Sequence, residues 1–420
     1  MLLSPRAWQH RAVSYPSSKP TKVFAANTTK ALAEHLADLY AEGTPWLPCG
    51  LGTRLDWGAP VQSPSQAVSV SGLKRIIDHA IDELTVTVEA GLPLAELQKA
   101  LAEKKQWLAL DWPWGSQPNS DSNIAGSVGG LVARGLAGGL RHRHLGVRDQ
   151  LIGIGLLRSD GVAAHAGGRV VKNVAGFDLM RLLCGSWGSL AMITELTLRT
   201  QPIRPAHARF NVEGKIANLE AWRAELMRSS FTLEFCDWLD LEPDHWQLQI
   251  GLASVSDQAV NDQLNSIQSL ATQYQLQSKR QPWQGPFPEQ TLPEASLETP
   301  HWLVRIGLPP AQIHNLLSSK ELVALSDWHW RIAAGSGIGD GWQTYSADQT
   351  TISNNEQLSA LRNHAHQLGG YLTLLRQPNN SGDRLPAWLD APSRPLIEAV
   401  KQQFDPKRQV AIGRLPGVSG

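Results

Sequence analysis

Three glycine-rich segments in the first half of the chain could bind a ligand that carries phosphate groups. They are PCGLGTRL (Pro48 to Leu55), NSDSNIAGSVGGLVARGLAGG (Asn119 to Gly139) and GGRVVKNVAGFDLMRLLCGSWGSLAMITELTLR (Gly167 to Arg199). Glycine permits tight turns and a close approach of backbone to ligand, and successive N–H groups in such a loop can surround a phosphate. One glycine turn after a strand is more often only a turn. Three of them over one α/β region favour a large, extended, phosphate-bearing cofactor.

The two common phosphate-binding motifs are excluded by the spacing. No Lys-Ser or Lys-Thr pair follows the glycines of the first segment, so it is not a Walker loop. No GxGxxG opens a helix directly after a strand, so the segment is not a Rossmann fingerprint either.

Composition excludes several further classes of protein. The 420 residues have a formal net charge of zero, which argues against a nucleic-acid partner. The three cysteines, Cys49, Cys184 and Cys236, are far apart and offer no CxxC pair for zinc or an iron–sulfur cluster. The N-terminus lacks an apolar signal core, and no apolar run is long enough to span a bilayer. These features predict a cytoplasmic protein without a transmembrane segment.

The elements that must position the glycine segments can be read from hydrophobic periodicity. Helices are predicted from Thr29 to Gly43 and from Pro93 to Lys105, and strands at TVTVEAG, DQLIGIGLL, VAAHAGG and LAMITELTLRTQP, the last ending at Pro202. After about residue 206 the glycine clusters give way to a Gln- and Asn-rich texture with further amphipathic helices, which indicates a second α+β domain. The sixteen tryptophans are expected mainly in cores and domain contacts.

The linked motifs carry a resemblance to a known family. PCGLGTRL, VEAGLPLAEL, GSVGGLVARGLAG, HLGVRDQLIGIGLLRSDG and the third glycine segment, in that order, resemble the FAD-binding domain of the vanillyl-alcohol-oxidase/PCMH superfamily. VVKNVAGFDLMRLLCGSWGSL is most similar to the FAD-binding subunits of bacterial-type glycolate oxidase, and the tail FDPKRQVAIGRLPG resembles the usual ending of that family.

The resemblance implies an α+β fold in four parts. These are an N-terminal extension over 1–19, a PCMH-type FAD-binding domain of two α+β subdomains over 20–205, an α+β cap over 206–390, and a C-terminal helix and tail over 391–420 that return to the FAD domain.

The resemblance also implies the contacts of a non-covalent FAD. The loop Pro48, Cys49, Gly50, Leu51, Gly52, Thr53, Arg54 and Leu55 would wrap the pyrophosphate. Gly126, Ser127, Gly129 and Gly130 would run along the cofactor where a Cβ would collide, and Gly188, Ile193 and Thr194 would lie near the adenine end. For Lys172, Asn173 and Asp178, a local role is as probable as cofactor contact. Cys49 is a weak candidate for covalent flavin attachment.

A metal-bearing motif of catalytic relatives is altered in this sequence. Relatives that oxidise 2-hydroxy acids carry an HxGDGN-like motif in the cap, whereas this chain has SGIGDGW from Ser336 to Trp342. His364 and His366 form an HxH pair, but two residues so spaced on a helix point to different faces. They are expected to be surface histidines, as Arg141, Arg143 and Arg148 are expected to be solvated, with a carboxylate or flavin contact as the alternative. No metal site and no catalytic base are predicted.

The resemblance implies a function that needs partners. It indicates an FAD-binding subunit of a glycolate oxidase complex, in which a hydride leaves C2 of glycolate for flavin N5 and glyoxylate forms. A catalytic flavoprotein subunit and an iron–sulfur subunit would be the partners, because this chain cannot hold a cluster, and peripheral contact with the inner face of a membrane would come through them. Two alternatives stay open: a self-sufficient FAD-dependent 2-hydroxy-acid dehydrogenase, and a flavin-free structural subunit of the complex.

Overall fold

The computed structural model describes residues 20, 22–62, 66–111, 125–168, 178–242, 245–281, 283, 301–344, 351–378 and 384–419. The predicted N-terminal extension over 1–19, the Lys172–Asn173 pair and most of the proline-rich segment that follows Arg280 lie outside the described residues.

Both halves of the chain, before and after the predicted domain boundary at residue 206, contain helices. Within the described residues they are α1 Thr29–Glu42, α2 Leu94–Ala102, α3 Val128–Arg134, α4 Arg141–His144, α5 Val147–Gln150, α6 Met180–Leu183, α7 Ile216–Arg228, α8 Asp257–Gln273, α9 Ile313–Leu317, α10 Lys320–Val323, α11 Thr351–Gln367 and α12 Arg394–Phe404.

Strands alternate with these helices throughout the described chain. They are β1 Lys22–Ala25, β2 Trp46–Cys49, β3 Gln66–Ser69, β4 Ile76–Ala80, β5 Thr85–Glu89, β6 Gln106–Trp107, β7 Leu151–Leu157, β8 Ala163–Gly167, β9 Met192–Arg199, β10 Gln201–Pro202, β11 Ala206–Glu213, β12 Leu233–Glu242, β13 His245–Ser254, β14 Gln277–Gln281, β15 His301–Gly307, β16 His329–Ala333, β17 Ile338–Thr344 and β18 Tyr371–Arg376. The mixed α+β class predicted from the sequence is confirmed.

The first glycine loop is positioned by a small parallel sheet in the order β1-β3-β2. Helix α1 connects β1 to β2. It begins where the Thr28 side chain accepts a hydrogen bond from Ala31 N at 3.2 Å, and it ends at Gly43, whose φ of 73° is left-handed. Both ends follow from residue type, since threonine caps helix starts and glycine ends helices in this conformation. The loop after β2 therefore leaves the carboxyl end of a parallel sheet.

The third glycine segment includes β9 of an antiparallel sheet in the order β4-β5-β9-β7-β8, and helix α3 of the second segment packs against β9. Strands β5 and β7 are buried along their whole length. The apolar sequence LIGIGLL of β7 matches this burial, whereas β5, TVTVE, also buries two threonines and a glutamate. Pro202 does not end the long strand as predicted. Strand β9 stops at Arg199, and Gln201–Pro202 form a separate short strand that pairs with β6, where proline is tolerated at a sheet edge.

The second half of the chain contains an antiparallel sheet of eight strands in the order β14-β11-β13-β12-β16-β17-β15-β18. Helices α7 and α8 pack against the part of this sheet that contains β13, and α11 packs against β18. Three tryptophans are fully buried in its core, at Trp222, Trp238 and Trp302. This half has a hydrophobic core of its own, separate from the core that surrounds the first two sheets.

The C-terminal tail packs on the first small sheet. Ala411 N donates to Trp46 O at 2.9 Å, and Trp46 N donates to Gln409 O at 2.9 Å, so the tail lies parallel to β2. Val410 and Ala411 are buried in the same hydrophobic core as the N-terminal half. The end of the chain therefore supports the strand from which the first glycine loop leaves.

The two halves contact each other through a small apolar cluster. Trp57, Leu136 and Trp187 of the first half meet Leu303, Leu375 and Trp342 of the second. An ion pair between Arg376 and Asp56 at 3.0 Å and a hydrogen bond from Gly58 N to Leu375 O at 2.8 Å lie in the same region. Among the helices of the described residues, none is long and apolar enough to cross a membrane.

Candidate functional site

The structure brings the first two glycine segments into direct contact. A Cβ placed on Gly50 would lie 2.0 Å from the Ser127 Oγ, so only glycine allows this approach. Ser127 caps α3, because its Oγ accepts a hydrogen bond from Gly130 N at 3.1 Å. On the other side, Ser69 Oγ donates to Gly50 O at 2.8 Å. The loop after β2 is therefore held between β3 and the start of α3.

Gly126 is the second position at which the close approach needs glycine. Its φ is 84°, and a Cβ there would meet Thr53 Oγ1 at 2.9 Å and Arg54 Nη1 at 3.2 Å. Arg54 is buried, and its Nη1 donates to the carbonyl oxygen of Ala125 at 3.1 Å. The Arg54 side chain therefore crosses from the first glycine loop to the backbone that precedes α3.

Gly129 packs closely against Ala90. Its Cβ would meet the Cβ and carbonyl oxygen of Ala90, both at 2.8 Å, and Gly129 N donates to Ala90 O at 2.8 Å. The glycine is required where α3 packs against the chain after β5, and a side chain at this position would collide with protein. Gly130 is more open, because its nearest neighbour would be Ser127 Oγ at 3.3 Å.

The remaining predicted residues divide into two sets. Gly188 has a φ of 74°, and a Cβ added there would lie 3.6 Å from Pro48. Gly188 therefore packs against the end of β2. Ile193 and Thr194 are instead buried inside β9, and the Thr194 carbonyl already accepts a hydrogen bond from Ala90 N at 2.9 Å. Among the other loop residues, Cys49 is buried, Pro48, Leu51, Gly52 and Leu55 are half-buried, and Thr53 is exposed.

The first glycine loop is also held by the tail. Arg414 Nε donates to Ala59 O at 2.9 Å, and its Nη2 donates to Leu55 O at 2.6 Å. Burial lowers the pKa of the Arg414 guanidinium to about 10, and the nearby Asp56 carboxylate opposes that shift. The sequence indicated only that the tail returns to this domain; the residue that anchors the loop has no local signature.

A turn over residues 137–140, next to the second glycine segment, is enclosed by buried carboxylates. Gly138 N donates to Asp111 Oδ2 at 2.7 Å, and a Cβ on Gly139 would lie 2.5 Å from the Asp237 carboxylate. Arg331 pairs with Asp237 at 2.6 Å. Burial raises the pKa of both carboxyl groups, and Arg331 opposes the shift. Sequence reasoning missed these residues, although single aspartates inside the apolar stretches WLALDW and EFCDWL were a usable signal.

The altered SGIGDGW motif contributes a buried ion pair to the same turn. Asp340 receives two hydrogen bonds from Arg305, Nε to Oδ1 at 2.8 Å and Nη2 to Oδ2 at 2.7 Å. Arg305 also donates to Ala137 O at 2.8 Å. Burial alone would lower the pKa of the Arg305 guanidinium, but the charge and hydrogen bonds of Asp340, together with the charges of Tyr371 and Asp111, outweigh burial and raise the pKa. The aspartate of the motif therefore connects the second half of the chain to the 137–140 turn.

The histidines and arginines that the sequence singled out lie away from this turn or at its edge. His366 is exposed, as expected, whereas His364 is half-buried with its Nδ1 4.0 Å from Glu321. Arg141 and Arg148 are exposed, but Arg143 lies 3.6 Å from the buried Glu234. Asp178 is exposed and pairs with Arg181 at 3.1 Å. Within the described ranges, no three His, Cys, Asp or Glu residues are grouped so as to hold a metal ion.

Comparison with known proteins gives the class of this fold. Residues 20–167 match the family described as FAD binding domain. The structure of p-cresol methylhydroxylase with substrate bound superposes with a TM-score of 0.75 at 15% identity, over 100% of this chain and 94% of that chain. The chain has the PCMH-type FAD-binding fold. Alkyldihydroxyacetonephosphate synthase shares this fold, with a TM-score of 0.66 at 13% identity over 95% of this chain and 77% of that chain.

Two curated relatives differ in how much of their length they share with this PCMH-type chain. Glycolate oxidase subunit GlcE of Escherichia coli is 28% identical over 92% of this chain and 97% of that protein. Glycolate oxidase subunit GlcD of Bacillus subtilis is 29% identical, but only over 46% of this chain and 40% of that protein. The likeness to GlcE thus extends through the second half of the chain, whereas the likeness to GlcD covers less than half of either protein.

The residues around the glycine loops suit FAD, the cofactor of this domain. The contact between Gly50 and Ser127 leaves loop backbone beside the start of α3, where Gly130 is half-buried and carries no side chain. Arg134, one helical turn further along α3, supplies a positive charge on the same side. Backbone without side chains and a nearby cation are the features that an extended diphosphate ligand requires. Individual cofactor contacts of the predicted residues stay predictions.

Replacing Gly50 with alanine is expected to destabilise the protein and to weaken FAD binding, because the new methyl group would lie on the Ser127 Oγ. Such overpacking costs about 1–3 kcal/mol. Gly168→Ala is a matched control, since a Cβ at Gly168 meets no atom of the described residues within 4 Å. Thermal unfolding and flavin content of the two variants test this prediction. Equal behaviour of the two variants would contradict the close contact between the loop and α3.

The three thiols are expected to be unreactive in the folded protein. Burial raises the pKa of both Cys49 and Cys184 to about 11, and burial also raises the pKa of Cys236. The thiolate is the reactive form, so at pH 8 a disulfide reagent should modify the native protein slowly and the denatured protein quickly. Because these pKa values are raised on folding, the thiols contribute stability that is lost as the pH rises from about 9 to about 11. Rapid stoichiometric labelling of Cys49 in native protein would contradict this.

Proposed function

We propose that the chain is the FAD-binding subunit of a glycolate oxidase complex. In this proposal the complex oxidises glycolate to glyoxylate and passes the electrons, through partner subunits, to an acceptor other than oxygen. The likeness to GlcE over 97% of that protein supports this function above the alternatives. The glycine loops and the adjacent positive charge support a role in holding the cofactor.

The geometry that carries the subunit proposal is the ion pair of Asp340. Its two carboxylate oxygens are both engaged by Arg305 in a buried position. The motif that would hold a metal in self-sufficient relatives therefore has its aspartate committed to a contact between the two halves of the chain. Gly337 stands at the histidine position of the motif, and Trp342 stands at its asparagine position. The cap thus lacks the metal-binding motif that would polarise the hydroxyl group of the substrate.

FAD, when bound, supplies the hydride acceptor for oxidation at C2 of a 2-hydroxy acid. In this proposal, the residues of the chain bind and orient the cofactor. The loop from Pro48 to Leu55 and the glycines at 126 and 130 would hold it, and the cluster around Trp57 would exclude water from the contact between the two halves. No proton transfer is assigned to a residue of this chain.

The cofactor is proposed to be bound without a covalent bond. Cys49 is the cysteine within the first glycine loop, yet it is buried, and its pKa is raised to about 11 by burial. A protonated, enclosed thiol is a poor nucleophile toward a flavin. Release of all flavin from denatured protein by acid precipitation would agree with non-covalent binding; flavin that stays with the protein would contradict it.

The partners are proposed to be a catalytic flavoprotein subunit and an iron–sulfur subunit. The three cysteines are Cys49, Cys184 and Cys236, two of them buried. They are dispersed along the chain and cannot supply the ligands of a cluster. Electrons would therefore leave through another polypeptide. The complex is proposed to be cytoplasmic, or to contact the inner face of a membrane through these partners.

Purification of the affinity-tagged chain from its own host tests the proposal. We expect a GlcD-like flavoprotein and an iron–sulfur protein to co-purify with the chain, together with glycolate-dependent reduction of an artificial dye. A complex that lacks both partners, or one that reduces the dye only with another substrate, would contradict the proposal. A chain that turns over a 2-hydroxy acid unaided would instead favour the self-sufficient dehydrogenase.

Each of the two alternative functions is supported by one observation. This chain is 29% identical to the mitochondrial D-lactate dehydrogenase (cytochrome) of Arabidopsis thaliana over 47% of this chain and 32% of that protein, which favours a self-sufficient enzyme. The flavin-free alternative rests on the altered SGIGDGW motif, since a subunit that has lost its catalytic residues could also have lost its cofactor. A flavin absorbance spectrum from the purified chain separates the second alternative from the other two readings.

A further inference from the structure

Arg134 is the last residue of α3, beside the two glycine loops. Its guanidinium carbon lies 5.9 Å from the centre of the Trp57 ring, and that of Arg54 lies 5.4 Å from the same ring. Trp57 is buried in the contact between the two halves of the chain. The ring therefore holds two guanidinium groups next to the place where the first loop meets α3.

The charge of Arg134 has no counter-ion among the described residues. No carboxylate lies within ion-pair distance of its guanidinium there, in contrast to Arg305 and Arg331, which are paired with Asp340 and Asp237. Burial alone lowers the pKa of Arg134, to about 10. A guanidinium remains charged at neutral pH even so, and a half-buried unpaired charge costs stability unless a ligand neutralises it.

The neighbours of Arg134 indicate what kind of ligand could neutralise its charge. A Cβ placed on Gly130, one turn earlier in α3, would lie 3.9 Å from Arg134 Nη1 and 3.3 Å from Ser127 Oγ. Ser127 in turn is the residue against which Gly50 packs. The guanidinium thus lies on the same helix face as the backbone of both glycine loops, which are the segments suited to phosphate oxygens.

We propose that Arg134 binds an oxyanion of the cofactor's diphosphate from the face of α3 that carries Gly130. This inference rests on the proposed function of the chain as an FAD-binding subunit. Trp57 and the stem of Arg134 fix the direction of the guanidinium before the ligand arrives, which limits the entropy lost on binding. The ligand then supplies the missing counter-charge, so FAD binding and the stability of this region depend on each other.

The test compares three variants of the full chain: Arg134→Met, Arg134→Lys and, as a matched control, Arg148→Met at an exposed arginine. Each apo-protein is titrated with FAD by fluorescence at low and high salt. We expect Arg134→Met to weaken FAD binding roughly 10- to 100-fold, the range for a charge-assisted hydrogen bond. Its FAD affinity should depend less on salt than that of the wild type. Arg134→Lys should recover part of the loss, and Arg148→Met should match the wild type.

Stability separates a binding role from a packing role. Because the apo-protein carries an unneutralised charge at this position, Arg134→Met is expected to unfold at the wild-type temperature or above it when FAD is absent. A lower unfolding temperature in the apo variant, together with unchanged FAD affinity, would overturn the proposal. The same holds if Arg134→Met binds FAD as tightly as the wild type at both salt concentrations.

A carboxylate is the other anion that a guanidinium could bind. Holo wild type and holo Arg134→Met are therefore titrated with glycolate while the flavin absorbance is recorded. Unchanged FAD affinity with a lost response to glycolate would assign Arg134 to the substrate and overturn the diphosphate proposal. If wild-type apo-protein binds no FAD at all, the proposed function itself fails; if it binds FAD and Arg134→Met binds equally well, only this inference fails.

Discussion

Asp405→Ala is expected to destabilise the protein by about 3–5 kcal/mol, the cost of removing one partner of a buried ion pair. Asp405 is fully buried. Its carboxylate accepts hydrogen bonds from Lys401 Nζ at 2.6 Å, from Gln409 N at 3.0 Å and from Val410 N at 2.8 Å. The substitution leaves the Lys401 charge buried and frees the first residues of the tail. Urea unfolding followed by tryptophan fluorescence measures the change.

A surface ion pair provides the control for this prediction. Asp390 pairs with Arg394 at 2.6 Å, but both side chains are exposed, so Asp390→Ala should change stability far less. Because the tail also carries Arg414, which holds the first glycine loop, Asp405→Ala should lower FAD content as well. Equal stability of Asp405→Ala and Asp390→Ala would contradict the role of Asp405 as the anchor of the tail.

Asp340→Ala is expected to have an effect of similar size, about 3–5 kcal/mol, because it leaves Arg305 buried without its partner. The double variant Arg305→Met with Asp340→Leu should recover most of the lost stability, since well-packed apolar residues often replace a buried ion pair at little cost. Unfolding midpoints of the single and double variants give the coupling between the two residues.

A metal role for the motif predicts different results for the same variants. If Asp340 held a metal, the double variant would remain as impaired as Asp340→Ala, and metal content after dialysis would fall in both. We expect the metal content of the wild type and of both variants to be equal and far below one ion per chain. Stoichiometric zinc, manganese or iron in the wild type, lost in Asp340→Ala, would contradict the ion-pair account.

Local signals in the sequence were sufficient for the elements that carry the glycine loops. Helix α1 has a threonine at its start and a left-handed glycine after its end, and β5 has the β-branched run TVTVE. The order of the motifs predicted that the first two glycine segments line one cofactor, whereas the direct contact of Gly50 with Ser127 is a finding of the structure. Helix caps and β-branched runs are signals within a few residues, and the order of the glycine motifs is shared across the superfamily that the sequence resembles.

The contacts between distant residues could not be predicted in the same way. Arg305 reaches Ala137 across 168 positions of the chain, and nothing near either residue indicates the other. Gly129 shows a further limit of residue type: the backbone of Ala90 lies where a Cβ would be, and the cofactor contact of Gly129 stays a prediction. A glycine in the sequence indicates that some group packs closely against the backbone. Only the fold reveals whether that group belongs to a ligand or to the protein.

The most direct test of the central claim is anaerobic stopped-flow reduction of the flavin in the purified single chain by excess glycolate. The subunit account predicts that the flavin bleaches slowly or not at all, and that addition of the catalytic flavoprotein subunit restores reduction. Bleaching of the isolated chain at about 10 s⁻¹, the typical rate of enzyme turnover, would show a complete active site in this chain and would contradict the account.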